Sequence, residues 1–199
     1  MRISPDEFRR LPLEVHALLR DVPLQDVSVI DLPGGGPGRT VADVEAIVSA
    51  AGGRSAIGVV RMLVALRRGL GRVFGWDDPR HGITAHAESS YVHRVSDDLA
   101  RRSVLPVGSL QDGRHMLYAL DGEMVNEIRN ATVHAFSALV LERVSHGYRF
   151  YVAVYVKPIG RLTRYYMALI EPFRRFIVYP SMLRLARRGW IERYAQEIG

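Results

Sequence analysis

Between Arg114 and Lys157 the sequence alternates strand-forming stretches with turns too short to hold a crossover helix. Parallel neighbours need a connection of about a dozen residues or more, whereas antiparallel ones can be joined by two. This stretch is therefore restricted to an antiparallel meander. Arg114–Leu120 reads as a strand, and Asp121-Gly122 after it is the clearest hairpin signal in the chain. Glu123–Arg129 and Thr132–Leu141 read as two strands, or as one strand bent at Asn130-Ala131. After the turn Ser145-His146-Gly147, Tyr148–Lys157 is a strand rich in Val and Tyr.

Helical patterns lie on either side of the meander. Ser4-Pro5-Asp6-Glu7 places an N-cap serine, a proline at the first helical position and acids in the first turn, which predicts a helix to about Leu19. Gln25–Asp31 reads as a short strand. Gly34-Gly35-Gly36-Pro37-Gly38 is a loop, and Thr40-Val41-Ala42-Asp43 opens a second helix with a capping-box-like pair. Ser55 to about Phe74 carries an apolar stripe at helical spacing. Thr84–Val95 has mixed alternation and tends towards strand, and Asp97–Arg102 is a short helix. Arg161–Arg188 is helical by period, with Pro172 and Pro180 kinking or restarting it. Helices around a run of antiparallel strands give an α+β chain, expected to be a single domain over 1–199. The expected form is a curved antiparallel sheet around a long C-terminal helix, with extra N-terminal helices.

Composition removes several chemistries. The 199 residues include no cysteine, so disulfides, thiolate metal sites and a cysteine nucleophile are excluded. No apolar run approaches the ~20 residues that cross a bilayer, and Met1–Arg20 is interrupted by Asp6, Glu7, Arg9, Arg10 and Glu14. The expected location is cytoplasmic. The net charge is +6, and residues 142–199 carry eleven basic side chains against four acidic ones. No recognised nucleic-acid motif accompanies this excess, so nucleic acid is not an expected partner. A solvated helix face explains the charge equally well.

Three groups of residues could carry chemistry. Gly34–Arg39 follows a strand and precedes a helix, as a phosphate loop would, but it lacks the Gly-Lys-Ser/Thr ending and the dinucleotide-loop spacing. Asp77, Asp78, His81, His86, Glu88 and His93 are ligand types without ligand spacing, so neither metal nor cofactor is expected. In the strands, Glu127 and Arg129 share a face with Glu123 and Val125, while Asn126, Ile128 and Asn130 take the other. His134 shares a face with Thr132, Phe136 and Ala138. Polar residues among such apolar neighbours either face a cavity or are satisfied by a partner. Glu127 or His134 thus reads as a proton-transfer group in a pocket, with a buried structural pair between the Glu127 carboxylate and the Arg129 guanidinium as the alternative. On the Val- and Tyr-rich strand, Tyr148, Phe150, Val152, Val154 and Val156 form an apolar face expected to be buried. Arg149, Tyr151, Tyr155 and Lys157 form the opposite face, facing solvent or a cavity.

Several segments carry a resemblance: Glu127–Phe136, Ala153–Pro158, Gly160-Arg161, Tyr166-Met167-Ala168 and Ile170–Pro180. In them the chain resembles an uncharacterised bacterial family, a domain of unknown function grouped by analogy with START-like, polyketide-cyclase-like (SRPBCC) proteins. Many members have a histidine after the Pro-Phe pair where this chain has Arg174. The resemblance implies a helix-grip fold with a small, mostly hydrophobic ligand held between sheet and terminal helix. Glu127, His134 and Tyr155 are then the candidate catalytic groups, for acid–base cyclisation, dehydration or isomerisation of a polyketide-like molecule. Trp76, Tyr118, Asn126, Arg129, Phe136, Tyr151 and Tyr166 are candidate ligand contacts. The competing readings are a non-catalytic lipid or metabolite carrier or sensor, and a membrane-surface protein using the Arg-rich helix.

Overall fold

The meander forms and takes in one further strand from the N-terminal side. The computed structural model describes residues 3–50, 89–111, 114–129, 134–157, 171–172 and 178–194. In chain order these hold α1 (Pro5–Arg9), α2 (Glu14–Leu18), β1 (Leu24–Pro33), a helical stretch α3 (41–50), a 3-10 helix (Tyr91–Arg94) and α4 (Asp97–Arg102). Then follow β2 (Leu110–Gln111), β3 (Arg114–Ala119), β4 (Glu123–Arg129), β5 (His134–Val144), β6 (Gly147–Lys157) and α5 (Tyr179–Tyr194). The sheet order is β1-β6-β5-β4-β3-β2, and every neighbouring pair is antiparallel.

Local chemistry explains most element ends. Ser4 caps α1, its Oγ accepting from the Glu7 N–H at 3.1 Å. The single N-terminal helix expected to reach Leu19 is instead two. Pro12 has no N–H and biases its predecessor away from helix, and Leu13 is extended at φ −110°, ψ 141°. Asp43 Oδ2 accepts from the Thr40 N–H at 2.8 Å and from Thr40 Oγ1 at 3.1 Å, as the capping pair predicts. β1 is longer than expected because β6 pairs along it from Leu24↔Tyr155 to Pro33↔Gly147. Tyr91–Arg94 is a 3-10 turn and not strand, started by Ser90, whose Oγ accepts from the Val92 N–H at 3.2 Å. Pro180 is the second residue of α5. The helix expected over 55–74, the bend at Asn130-Ala131 and most of 161–177 lie outside the described residues.

Apolar cores cover both faces of the sheet. On one, Phe8, Val15, Leu18, Tyr91 and Leu99 pack against alternate strand residues including Val125, Phe136 and Tyr155. On the other, Val41, Val44 and Ile47 of α3 and Leu183, Ala186 and Trp190 of α5 pack against residues such as Met124, Tyr148 and Phe150. We call these the N-terminal and C-terminal faces. The apolar face of β6 is thus buried as expected at Tyr148, Phe150 and Val152. The opposite face is buried too at Tyr151 and Tyr155, under N-terminal elements.

The Gly-rich loop seats α5. Gly35 has φ +90°, and a Cβ there would lie 2.4 Å from the Trp190 ring. Trp190 Nε1 donates to Pro33 O at 3.0 Å, and Tyr148 OH donates to Gly36 O at 2.8 Å. Arg39 Nε donates to Gly35 O at 2.6 Å, and its guanidinium stacks 4.1 Å from the Tyr194 ring centroid. The loop's carbonyls and its arginine therefore serve packing. Among the described residues, no helix is long and apolar enough to cross a membrane.

Candidate functional site

The meander's alternation sets buried polar residues on both faces, and their surroundings differ. On the N-terminal face Glu127 is fully buried. Its Oε1 accepts from the Tyr91 N–H at 2.8 Å and lies 2.7 Å from His134 Nε2. Its Oε2 accepts from Ser90 Oγ at 2.5 Å, with Arg129 Nε 3.5 Å away. Burial pushes this carboxyl up, but the hydrogen bonds from His134, Ser90 and Tyr91 outweigh it and hold the pKa below the ordinary glutamate value. With the carboxylate ionised, His134 Nε2 carries the proton between them. His134 is also packed against Tyr91 and Phe136, with ring centroids at 5.2 and 4.7 Å.

Glu123, two periods of the alternation away on the same face, does a parallel job. Leu13 has no side chain to cap α2. Glu123 accepts from the Glu14 and Val15 N–H groups at 3.0 and 2.9 Å instead, and from Tyr118 OH at 2.7 Å. Burial dominates here and raises its pKa. Each glutamate fastens the start of a helical segment to the sheet. The sequence reading singled out only Glu127. The alternation already placed Glu123 beside it, but the need for a remote cap at α2 became evident only once Pro12 split the helix.

The remaining candidates do not form one centre. Phe136 pairs with both Glu127 and Tyr155 and so stands between them. Tyr155 OH is 3.4 Å from His16 Nδ1, and burial pushes the phenol up. Tyr151 OH donates to Glu142 at 2.6 Å and is pushed up to about 12, first by burial and then by that bond. Tyr118 is taken up by Glu123. Trp76, Tyr166 and Arg174 lie outside the described residues, as does the Asp77–Glu88 part of the polar cluster. Among the described residues, no group of His, Asp and Glu is disposed to hold a metal.

Asn126 is the candidate that points elsewhere. Across the C-terminal face the register sets Met116, Asn126, Ser137, Val154 and Asp26 in one row. Asn126 is 1% exposed. Among the described residues, neither its Nδ2 nor the buried Ser137 Oγ has a hydrogen-bond partner. Ala135, Ser137, Leu139 and Val154 are only half-buried, although β5 and β6 are interior strands. α5 packs at the far end of this face, over Leu32, Pro33 and Tyr148. The result is a partly exposed, largely apolar row containing two buried polar atoms without partners among the described residues. Ser137, Asp26 and Ser28 were not anticipated, since short polar residues on a strand give no periodic signal.

A family model described as protein of unknown function (DUF2867) matches residues 18–181. No curated protein and no solved structure matches the chain.

Proposed function

The chain belongs to the DUF2867 family of proteins of unknown function, and we propose that it binds a small, mostly hydrophobic molecule on the C-terminal face of its sheet. One observation carries this reading. Along β5, His134, Phe136, Ala138 and Val140 are buried, while the intervening Ala135, Ser137 and Leu139 are half-buried. An interior strand that leaves Ala, Leu and the adjacent Val154 partly open has apolar surface waiting for a cover. Ligand sites are typically concave and mostly apolar, with few polar groups.

The topology favours the helix-grip, START-like version of this reading. The first strand pairs directly with the last, the meander continues from the last strand's other side, and a terminal helix crosses one face. In such a fold the ligand lies between sheet and helix, which is the face bearing Asn126 and Ser137.

Binding without reaction is the form we favour. Glu127 and His134 lie on the opposite face, 0% and 1% exposed, and the carboxylate's oxygens are taken up by four neighbours. Acid–base cyclisation or isomerisation would need one of them to reach the ligand. We therefore read them as anchors and the protein as a carrier or sensor. The outward arginines of α5, with Arg188 paired to Glu192 at 2.8 Å, suit a solvated surface.

Titration with the uncharged fluorophore N-phenyl-1-naphthylamine tests the proposal. Saturable enhancement is expected, and Ala135→Trp should abolish most of it while the protein stays folded. No saturable binding, or unchanged binding in Ala135→Trp, overturns the reading.

A further inference from the structure

A floor that is apolar except for two adjacent unfilled donors selects for a particular ligand. We infer that this site recognises an uncharged apolar molecule through a carbonyl oxygen, received by Asn126 Nδ2 and Ser137 Oγ. The inference rests on the binding reading above and specifies its chemistry.

Asn126 and Ser137 are directly opposed on β4 and β5, so their side chains rise from the same face about 5 Å apart. The Asn126 amide nitrogen offers two protons and the Ser137 hydroxyl one. Among the described residues these atoms have no partner, although both are buried. Buried polar groups are almost always hydrogen-bonded, so a pair left open side by side marks a place where something else completes them. The species that satisfies two convergent donors at once is an acceptor with two lone pairs, which a ketone, ester or amide oxygen provides. Apolar neighbours at Met116, Ala135, Leu139 and Val154 accommodate the remainder of the molecule.

Charge narrows the class further. An anionic ligand would have to give up its hydration to enter this apolar row, which a neutral carbonyl does at far lower cost. A carboxylate ligand is therefore disfavoured against a neutral carbonyl of the same size.

The test uses the full chain and three matched probes: 1-acetylnaphthalene, 1-ethylnaphthalene and 1-naphthoate. The wild type should bind the ketone about fivefold more tightly than the ethyl compound, in keeping with roughly one net hydrogen bond, and the naphthoate least. Asn126→Leu and Ser137→Ala should each reduce this preference while leaving 1-ethylnaphthalene affinity within about twofold, since the floor remains apolar. Asn126→Leu should also melt no lower than the wild type, because the buried Nδ2 it removes has no partner among the described residues. Equal wild-type affinity for the ketone and ethyl compounds overturns the carbonyl assignment and leaves the hydrophobic site standing. The assignment also falls if the preference survives in both variants, or if Asn126→Leu melts well below wild type. Failure of the wild type to bind either neutral naphthalene overturns the site itself, and this inference with it.

Discussion

The two faces of β5 are built from the same alternation and end in opposite states. His134, Phe136, Ala138 and Val140 are sealed under Phe8, Val15, Tyr91 and their neighbours. Ala135, Ser137 and Leu139 are left half-open. The sealed face holds the conspicuous chemistry, two glutamates and a histidine, and the polar atoms of both glutamates are occupied. The open face holds an asparagine and a serine whose buried atoms are not. Buried polarity alone thus says little about function. What distinguishes an anchor from a site is whether its hydrogen-bonding capacity is already filled.

Removing the central anchor should break this contrast most severely. Glu127→Ala leaves the Tyr91 N–H, Ser90, His134 and Arg129 without their common acceptor. Breaking a buried ionic set from one side typically costs about 3–5 kcal/mol. Urea denaturation should show a loss of that order. A loss below about 1 kcal/mol would mean that the N-terminal face does not depend on this carboxylate, and the distinction drawn between the faces would fail.

The C-terminal face has its own critical contact, at the loop and not in the sheet. Gly35→Ala would put a Cβ 2.4 Å from Trp190 at a backbone conformation, φ +90°, that L residues rarely adopt. A loss of about 2 kcal/mol is expected. The near-ultraviolet circular dichroism of Trp190 should change along with it. Unaltered stability and spectrum would show that α5 is held some other way.

How far the sequence foretold this arrangement follows from the range of each signal. The meander was legible because alternation and an Asp-Gly turn are local, and so were the caps at Ser4 and Thr40. The split at Pro12 was also written locally, but the helical period on either side of it masked the break. The two-sided covering of the sheet was not legible. Nothing in Tyr151 or Tyr155 says that Phe8 and His16 come to lie over them. The sequence names Glu127 and His134 as candidates but not as partners, and their contact is completed by Ser90 and Tyr91, some 40 residues away in sequence and in a segment read as strand. Asn126 was picked out as a ligand contact, whereas Ser137 gains meaning only from the β4–β5 register that sets the two side by side.

The glutamates also separate by pH, and this is the smallest effect expected. Glu127 has a folded pKa below its unfolded value, so the stability it contributes is fully present above the ordinary glutamate value. That contribution is lost as pH falls through the lowered one. Glu123 has a raised folded pKa because burial outweighs its three donors. Its ionisation opposes folding, so its contribution declines as pH rises from the ordinary glutamate value through the raised one. Stability measured from pH 3 to 7 for wild type, Glu127→Gln and Glu123→Gln isolates each trend. The advantage of wild type over Glu127→Gln should shrink on acidification, and its advantage over Glu123→Gln should shrink as pH rises. Each slope is limited to about 1.4 kcal/mol per pH unit for one proton. Parallel slopes in the two comparisons would show that the two carboxylates share one electrostatic environment. Opposite slopes would mark Glu127 as the anchor that works ionised and Glu123 as the one whose charge is tolerated for the sake of capping α2.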